Sequence, residues 1–281
     1  MAVDNFIPQL WSASIFVANR KAQVIVPRCN RNYEGEIRDQ GQSVKINQIG
    51  AITISDYTKN SSTLTYAQLE SASKLLVIDQ GKSFSVAVED IDLVQSNVDL
   101  MTAAADEAAY RLADAADQYV AGLYGDAGVT SGLGTTASPI SITSSNILTY
   151  MATVAKALDD ASCPSEGRWM VIPPWMHLKI RLAKITNENT TNKALEEGAA
   201  DKILGFNIYV SNNIAVVGST KYKILAGTNR AITYADQLVK MEAIRLESRF
   251  CDGLRGLHVY GAKVVRPEDL AVLTATEGAE S

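Results

Sequence analysis

The sequence is short of the residues that most often carry chemistry. It has two histidines in 281 residues, His177 and His258. His177 lies in Pro173-Pro174-Trp175-Met176-His177-Leu178 and His258 in Leu257-His258-Val259-Tyr260. Either is a candidate general base, but both read as structural or surface histidines. Neither belongs to a His-x-x-x-His pair or a Cys/His cluster, so no zinc site is expected. The three cysteines, Cys29, Cys163 and Cys251, are odd in number, far apart and without a CxxC pair. They read as reduced thiols of a cytosolic product rather than a disulfide framework. No apolar run approaches the ~18 residues of a membrane span. Met1 to Gln23 lacks the basic, apolar, small-residue order of a secretion signal. Positive charge is also scarce: 26 Lys and Arg against 31 Asp and Glu leave a net charge of −5. A protein held to nucleic acid mainly by its net charge would be basic, which disfavours that role.

Several motifs fall short of the chemistry they suggest. Gly81-Lys82-Ser83 ends like a phosphate loop, but position 76, where the first glycine belongs, is Leu76. Without that glycine the backbone N–H groups cannot wrap a phosphate, and a turn beside a strand is expected. The glycines at 125, 128, 132 and 134 follow a helical pattern instead of a strand, so they mark a connector and not a dinucleotide fingerprint. Glu89-Asp90-Ile91-Asp92 reads as a solvated turn in preference to a cation site. The sequons at Asn60 and Asn189 are chance matches in the absence of a secretion signal. No catalytic, cofactor or metal constellation stands out, which shifts weight to a structural or binding role.

Hydrophobic residues make up 47% and charged residues 20%, the balance of a packed globular chain. Residues 1–40 lack a clear period and carry an apolar patch of Trp11, Ile15 and Phe16. Up to Tyr33 the charges are Arg20, Lys21, Arg28 and Arg31 against Asp4, a local +3 that leaves −8 for the remainder. This is a partly basic arm lying over something else. Residues 41–90 alternate with period two at Val44 and Ile46, at Ile52 and Ile54, and at Phe84, Val86 and Val88, with Lys74-Leu75-Leu76-Val77-Ile78 as a return strand. That predicts a long antiparallel ribbon. A two-stranded ribbon is marginal alone in water, so if it projects a neighbouring subunit should cover it.

From Ser96 the period becomes helical. Ser96-Asn97-Val98-Asp99 fits a capping box, and Met101, Ala105, Ala108, Leu112, Ala115, Tyr119 and Leu123 form a stripe ending at Gly125. The pattern predicts a helix over 97–124, about 40 Å long. It packs an Ala-rich face on a sheet and turns Asp106, Glu107, Arg111, Asp114 and Asp117 outward. Ile147, Met151, Val154 and Leu158 predict a second helix capped by Ser144 or Ser145. Trp169 to Ile172 reads as a buried strand, and Pro174 opens a third helix through about Leu182. Residues 183–202 are polar. Strands are expected at 206–210 and 222–226, a loosely alternating one over 241–250 before a turn at 251–253, and a pair of short ones from Leu254 to Val265, broken at Gly261. Pro267-Glu268-Asp269 ends the pattern, with a polar tail after it.

This order, an arm, a ribbon, one long helix, an α/β domain and a closing β section, resembles the major capsid proteins of tailed double-stranded DNA phages, the Hong Kong 97-like capsid fold. Local segments share the resemblance: Ile7-Pro8-Gln9-Leu10-Trp11-Ser12, Asn32-Tyr33-Glu34-Gly35-Glu36-Ile37, Trp169 to Pro174, Gly205 to Asn213 and, most specifically, Arg255 to Pro267. The resemblance implies an α+β chain with an N-terminal arm at 1–40 and an extended β-hairpin E-loop at 41–90. A P-domain spine helix would occupy 91–126, an α/β A-domain 127–235, P-domain strands 236–270 and a C-terminal tail 271–281. It implies a non-enzymatic coat protein that assembles through hexamers and pentamers into an icosahedral shell around double-stranded DNA. The expected place is the virion, assembled in the host cytoplasm.

The partners so implied are other copies of the chain, with a separate scaffolding protein, a portal and a decoration protein as further candidates; no membrane and no cofactor are implied. About 40 residues precede the ribbon, too few for a large cleavable scaffolding domain. Some members join an E-loop lysine to a P-domain asparagine. Here Lys59 and Lys74 are candidate donors, but no asparagine follows Asn229, so a non-covalent shell is expected. The residues expected at intersubunit contacts are Trp11 and Phe16 as apolar anchors, and Lys59 and Lys74 facing a neighbour's acids. Arg249, Arg255 and Arg266 would pair with Asp56 or Glu70 of another copy. Two other readings stay open at this stage. One is an encapsulin-like nanocompartment shell holding protein cargo; the other is a cytosolic α/β enzyme using His177.

Overall fold

The computed structural model describes residues 23–32, 43–49, 59, 71–89, 100–186, 202–246 and 251–279. In chain order its elements are β1 (Ser43–Ile49), β2 (Ser71–Val77), β3 (Gln80–Glu89), α1 (Leu100–Ala121), β4 (Ile140–Ile142), α2 (Ile147–Asp160) and β5 (Trp169–Ile172). There follow α3 (Pro174–Thr186), β6 (Asn207–Val210), β7 (Val216–Val217), β8 (Lys221–Gly227), β9 (Ile232–Arg245), β10 (Cys251–Val264) and β11 (Leu270–Glu277). Short 3-10 turns lie at Val26–Arg28, Gly122–Asp126 and Pro267–Asp269.

A six-stranded mixed sheet, in the order β4-β11-β8-β5-β6 with β7 beside β8, is covered on both faces. Alternation along each strand divides the side chains between two cores. Met170, Ile172, Ile224, Ala226, Ala271 and Leu273 point to α2 and α3, where Ile147, Met151, Val154, Leu158, Met176 and Ile180 meet them. Trp169, Val171, Leu225, Leu270 and Val272 point the other way, to Ala116, Val120 and Ala121 of α1 and to Tyr234 and Tyr260. A strand buried on both faces reads as an unbroken apolar run, which is why Trp169-Met170-Val171-Ile172 shows no period of two. The second sheet, β3-β10-β9, is antiparallel throughout. Tyr119 of α1 meets Tyr260 of β10 edge-on, with ring centroids 5.5 Å apart.

Several expectations change. The helix starting at residue 147 buries the four predicted residues. Its N-cap is Asn146, however, not Ser144 or Ser145, and Asn146 Oδ1 accepts from the Thr143 N–H at 2.8 Å while its Nδ2 donates to the Ser141 carbonyl at 2.9 Å. The long helix is described from Leu100, about 33 Å for its 22 residues, and gives way to a 3-10 turn instead of ending at Gly125. Its expected capping box lies outside the described residues. The third helix runs to Thr186, one turn past Leu182.

The ribbon proper is β1 with β2, in antiparallel register from Ser43↔Val77 to Ile49↔Ser71. The Phe84-Val86-Val88 alternation belongs to β3, which leaves the ribbon and pairs along its whole length with β10. β9 crosses the expected boundary at 235 and ends at Arg245. The expected break at Gly261 is a continuous 14-residue strand, and the turn expected at 251–253 is its start. The largest correction is at the C-terminus. Residues 270–277 are not a tail but an interior strand of the six-stranded sheet, parallel to β4 and antiparallel to β8. Thr274, read as tail polarity, is buried and accepts a hydrogen bond from Lys223 Nζ at 2.9 Å.

Candidate assembly surface

The root of the ribbon has two unlike faces. Val44, Ile46, Leu76 and the adjoining Ile78 turn inward and pack on Ala235 and Val259 of the second sheet and on Val265 just past the end of β10. The opposite parity points outward: Lys45 stands opposite Leu75, and Ser43 opposite Val77. Leu75 is 52% exposed and Val77 42%. A strand pair rarely keeps large apolar side chains on its solvent face without a partner for them. Lys74 is on the inner side, where its Nζ donates to the Val265 carbonyl at 2.7 Å and ties β2 to the end of β10.

The chain entering from the N-terminus is clamped beside this root. Asp117, on α1 and fully buried, accepts backbone N–H groups from Ile25 at 2.7 Å, Val26 at 3.0 Å and Val24 at 3.4 Å. Asn213 donates one amide to Asp117 at 3.2 Å and to Asp114 at 2.7 Å, bringing the loop after β6 into the same clamp. A carboxylate facing three N–H groups at the start of a turn satisfies donors that would otherwise be buried unpaired. Arg28 lies over the Tyr209 ring at 3.9 Å, and Asn30 bridges to Thr233 of β9. The segment thus straps both sheets together.

The strap ends in a polar cluster. Arg31 donates to Asp236 at 2.8 Å, and Asp236 also meets the Tyr234 hydroxyl at 3.2 Å and His258 Nε2 at 3.3 Å. Burial pushes the Asp236 carboxyl up, but the His258 hydrogen bond and the Arg31 charge outweigh it and hold it below its ordinary 3.8. A depressed carboxyl contributes stability that is present above 3.8 and lost as pH falls through its lower folded value, so this joint persists at neutral pH. Burial raises the Tyr234 hydroxyl far above its usual range, with Asp236 adding to it. His258 is therefore a joint residue stacked near Tyr260, and His177 lies half-buried on α3.

Of the nine residues expected at contacts, Trp11, Phe16, Asp56, Glu70 and Arg249 lie outside the described residues. Lys59 is exposed. Arg255 stands opposite Glu242 across β10 and β9 and donates to its carboxylate from both Nε, at 2.9 Å, and Nη2, at 2.5 Å. Arg266 is half-buried at the entry to the last 3-10 turn. The structure brings Lys74 to Val265 and Arg255 to Glu242 within one copy. Gly81-Lys82-Ser83 lies inside β3, with an extended backbone and no phosphate-cradling loop.

Asp117 and Asn213 were missed by sequence reasoning, which placed Asp114 and Asp117 on the solvent face. A signal was present: Asp117 is three and four residues before Val120 and Ala121, so it shares their buried face.

Among the described residues no group of three His, Cys, Asp or Glu side chains is placed to hold a metal. An open groove of about 590 Å³ between α3, the 218–220 turn and the end of β11 is lined by Leu178, Leu182, Tyr222 and Glu277 among others. Its buried Lys179 is turned to the Ile142 and Gly278 carbonyls. All three cysteines are buried and free. Burial pushes Cys29 beyond its usual range and Cys163 up to about 11, where the thiolate that reacts is scarce. A thiol-specific reagent at pH 8 is expected to label none of the three in the native chain and all three after denaturation. Rapid native labelling of Cys29 would contradict its burial within the strap.

Comparison with known proteins supplies a likeness over nearly the whole chain. A family model described as phage capsid protein matches residues 71–273. A solved structure from Mycobacterium phage Che8 is similar at 30% identity, with 96% of this chain and 98% of that one covered and a TM-score of 0.79. The capsid of cyanophage P-SCSP1u is 19% identical over 98% and 94% of the two chains, with a TM-score of 0.76. The capsid of Ralstonia phage GP4 is 13% identical over 100% and 98%, with a TM-score of 0.65. No curated protein matches the sequence.

Proposed function

The chain belongs to the phage capsid protein family, with the structural role of a major capsid protein in the virion, and from that premise we propose how its parts build the shell. Copies of the chain form hexamers and pentamers, and these close into a non-covalent icosahedral shell around double-stranded DNA in the host cytoplasm. Residues 1–40 act as the arm, the β1–β2 ribbon within 41–90 as the E-loop, and the long helix together with β3, β9 and β10 as the P-domain. The observation that carries this reading is the ribbon root, whose inner face is buried in its own subunit while its outer face presents Leu75 and Val77 beside Lys45 and Ser43. A copy of the chain is the partner always present at matching concentration. Each interface need be only of ordinary size, about 1,600 Å² in total, because every subunit shares several.

Trp11 and Phe16 anchor the arm in a neighbour's apolar grooves. Lys59 meets a neighbour's acids, and Arg249 and Arg266 pair with Asp56 or Glu70 of another copy. Lys74 and Arg255 contribute through the surfaces they fix, since both are engaged within the subunit. The acidic net charge suits a container whose wall must release its DNA. A scaffolding protein, a portal and a decoration protein complete the proposed partners. The family match favours this reading over a nanocompartment shell or an enzyme.

Negative-stain electron microscopy with sedimentation of the purified chain tests the proposal. Closed shells, or free hexamers and pentamers, are the expected result. A compact monomer or dimer under all conditions would overturn it. Changing Leu75 and Val77 together to Asp should leave thermal stability within about 1 kcal/mol, because both are outward-facing. The same change should abolish assembly at concentrations where the parent chain forms shells.

A further inference from the structure

Backbone geometry singles out one exposed residue. Ile203 and Phe206 exchange both backbone hydrogen bonds, at 3.0 and 2.9 Å, around the two-residue turn Leu204-Gly205. Both central residues have positive φ, +49° at Leu204 and +86° at Gly205. This is the mirror-image hairpin turn that favours Asn-Gly or Gly-Gly, because a side chain with a Cβ is strained in the left-handed region. Two other non-glycine residues among those described have positive φ, and both are serines, Ser162 and Ser219. Among the described residues Leu204 alone combines the conformation with a large apolar side chain, and that side chain is 49% exposed.

The turn cannot relax to relieve the strain. Ile203 and Phe206 are buried in the core under α2 and α3, so the hairpin is pinned at both feet. It leads into β6, the end strand of the six-stranded sheet, which pairs with β5 on one side. Folding of the subunit gains little from leucine here: the residue is strained, half of it is exposed, and the turn prefers asparagine. Strain held at an exposed position points to a use outside the fold.

We propose that Leu204 is a contact residue between copies of this chain, held out beside β6, the end strand of the sheet among the described residues, to enter the next subunit of the shell. The occupant is a second copy because the chain is a coat protein, and the inference rests on that reading of its function. In a ring of identical subunits unlike surfaces of neighbouring copies meet, and a rigid apolar tip on one of them fixes how closely the two approach. The strain is tolerated in the free subunit and offset each time the contact forms.

The test is a pair of variants with opposite expectations. Leu204→Asn should raise the melting temperature of the unassembled subunit by about 2 °C or more, since it suits the turn. It should also raise the concentration needed for shell formation about tenfold, the effect of losing one buried leucine side chain. Leu204→Met keeps the apolar reach and the strained backbone, and should change neither. If Leu204→Asn stabilises the subunit and shells still form at the parent's concentration, the inference fails while the coat reading stands. If Leu204→Asn lowers the melting temperature, Leu204 is covered within its own subunit and the inference is equally overturned. A parent chain that stays a compact monomer or dimer, forming neither shells nor free hexamers and pentamers, would remove the coat reading itself, and this contact with it.

Discussion

Asp117→Ala is expected to destabilise the folded subunit by about 3–5 kcal/mol and to free the chain entering from the N-terminus. Hydrogen bonds to a charged acceptor contribute about 1.5–3 kcal/mol each, and a buried N–H left unpaired costs about 1–3 kcal/mol. Two of the bonds to Asp117 are short, from Ile25 and Val26, and both N–H groups belong to buried residues. The alanine would leave those donors, and one amide hydrogen of Asn213, facing a small cavity. Asp117→Asn should fall between: its carbonyl oxygen still accepts, but its NH2 opposes a second donor. Hydrogen exchange at Ile25 and Val26, read beside a denaturant melt, checks the mechanism. Both amides should become fast in the alanine variant under conditions where the core strand β5 stays protected. If their exchange is unchanged while stability falls, the carboxylate acts elsewhere than through the strap. Because the strap also carries Arg28 to Tyr209 and Arg31 to Asp236, its release should loosen the joint between the two sheets. Assembly should then suffer more than the stability loss alone would explain, since the segment proposed as the arm precedes this clamp.

The parts of this fold that were legible in the sequence are those with one buried and one wet face. Ile147, Met151, Val154 and Leu158 announce α2 by spacing alone, and all four are buried. The alternation at Val44 and Ile46 announces the ribbon in the same way. Legibility fails where both faces are buried. Leu270-Ala271-Val272-Leu273 has no period, and the threonines after it suggested a tail, yet the strand lies between β4 and β8. It fails again where pairing is long-range: nothing local tells β3 to leave β2 and join a strand some 170 residues later. The candidate site was legible in kind but not in detail. An unsupported ribbon implies a partner surface, so Lys74 and Arg255 were natural choices for it, but charge patterning does not reveal that their partners are Val265 and Glu242 of the same chain. Asp117 was hidden by the assumption that a helix's acids face water, though its spacing from Val120 and Ala121 argued otherwise.

Gly261→Ala should separate the ribbon root from the sheet beneath it. A Cβ added at Gly261 would run into the Val77 carbonyl oxygen and lie about 3.0 Å from the Ile78 side chain. The first obstacle is backbone and cannot rotate away, so β2 must lift or β10 must bend. Overpacking of this kind costs typically about 1–3 kcal/mol, and the rigid neighbour places this case at the upper end. Gly253→Ala, in the same strand, is the control. There an added Cβ meets the Ile244 side chain at 3.4 Å, an ordinary contact, and the change should be nearly neutral. The two variants remove the same glycine flexibility from the unfolded chain, so their difference isolates the close approach at Gly261. The local consequence should be greater than the global one. Lifting β2 opens the cluster of Val44, Ile46, Leu76 and Ile78, and it moves Lys74 away from the Val265 carbonyl. Exchange protection in β1 and β2 should therefore drop at least tenfold more in Gly261→Ala than in Gly253→Ala, while α2 and β5 remain protected. Shell formation should follow ribbon protection and not the melting temperature. A Gly261→Ala chain with a lowered melt but a protected ribbon and normal shells would show that the approach of β10 to β2 does not aim the ribbon, and the outward face at Leu75 and Val77 would then need another support.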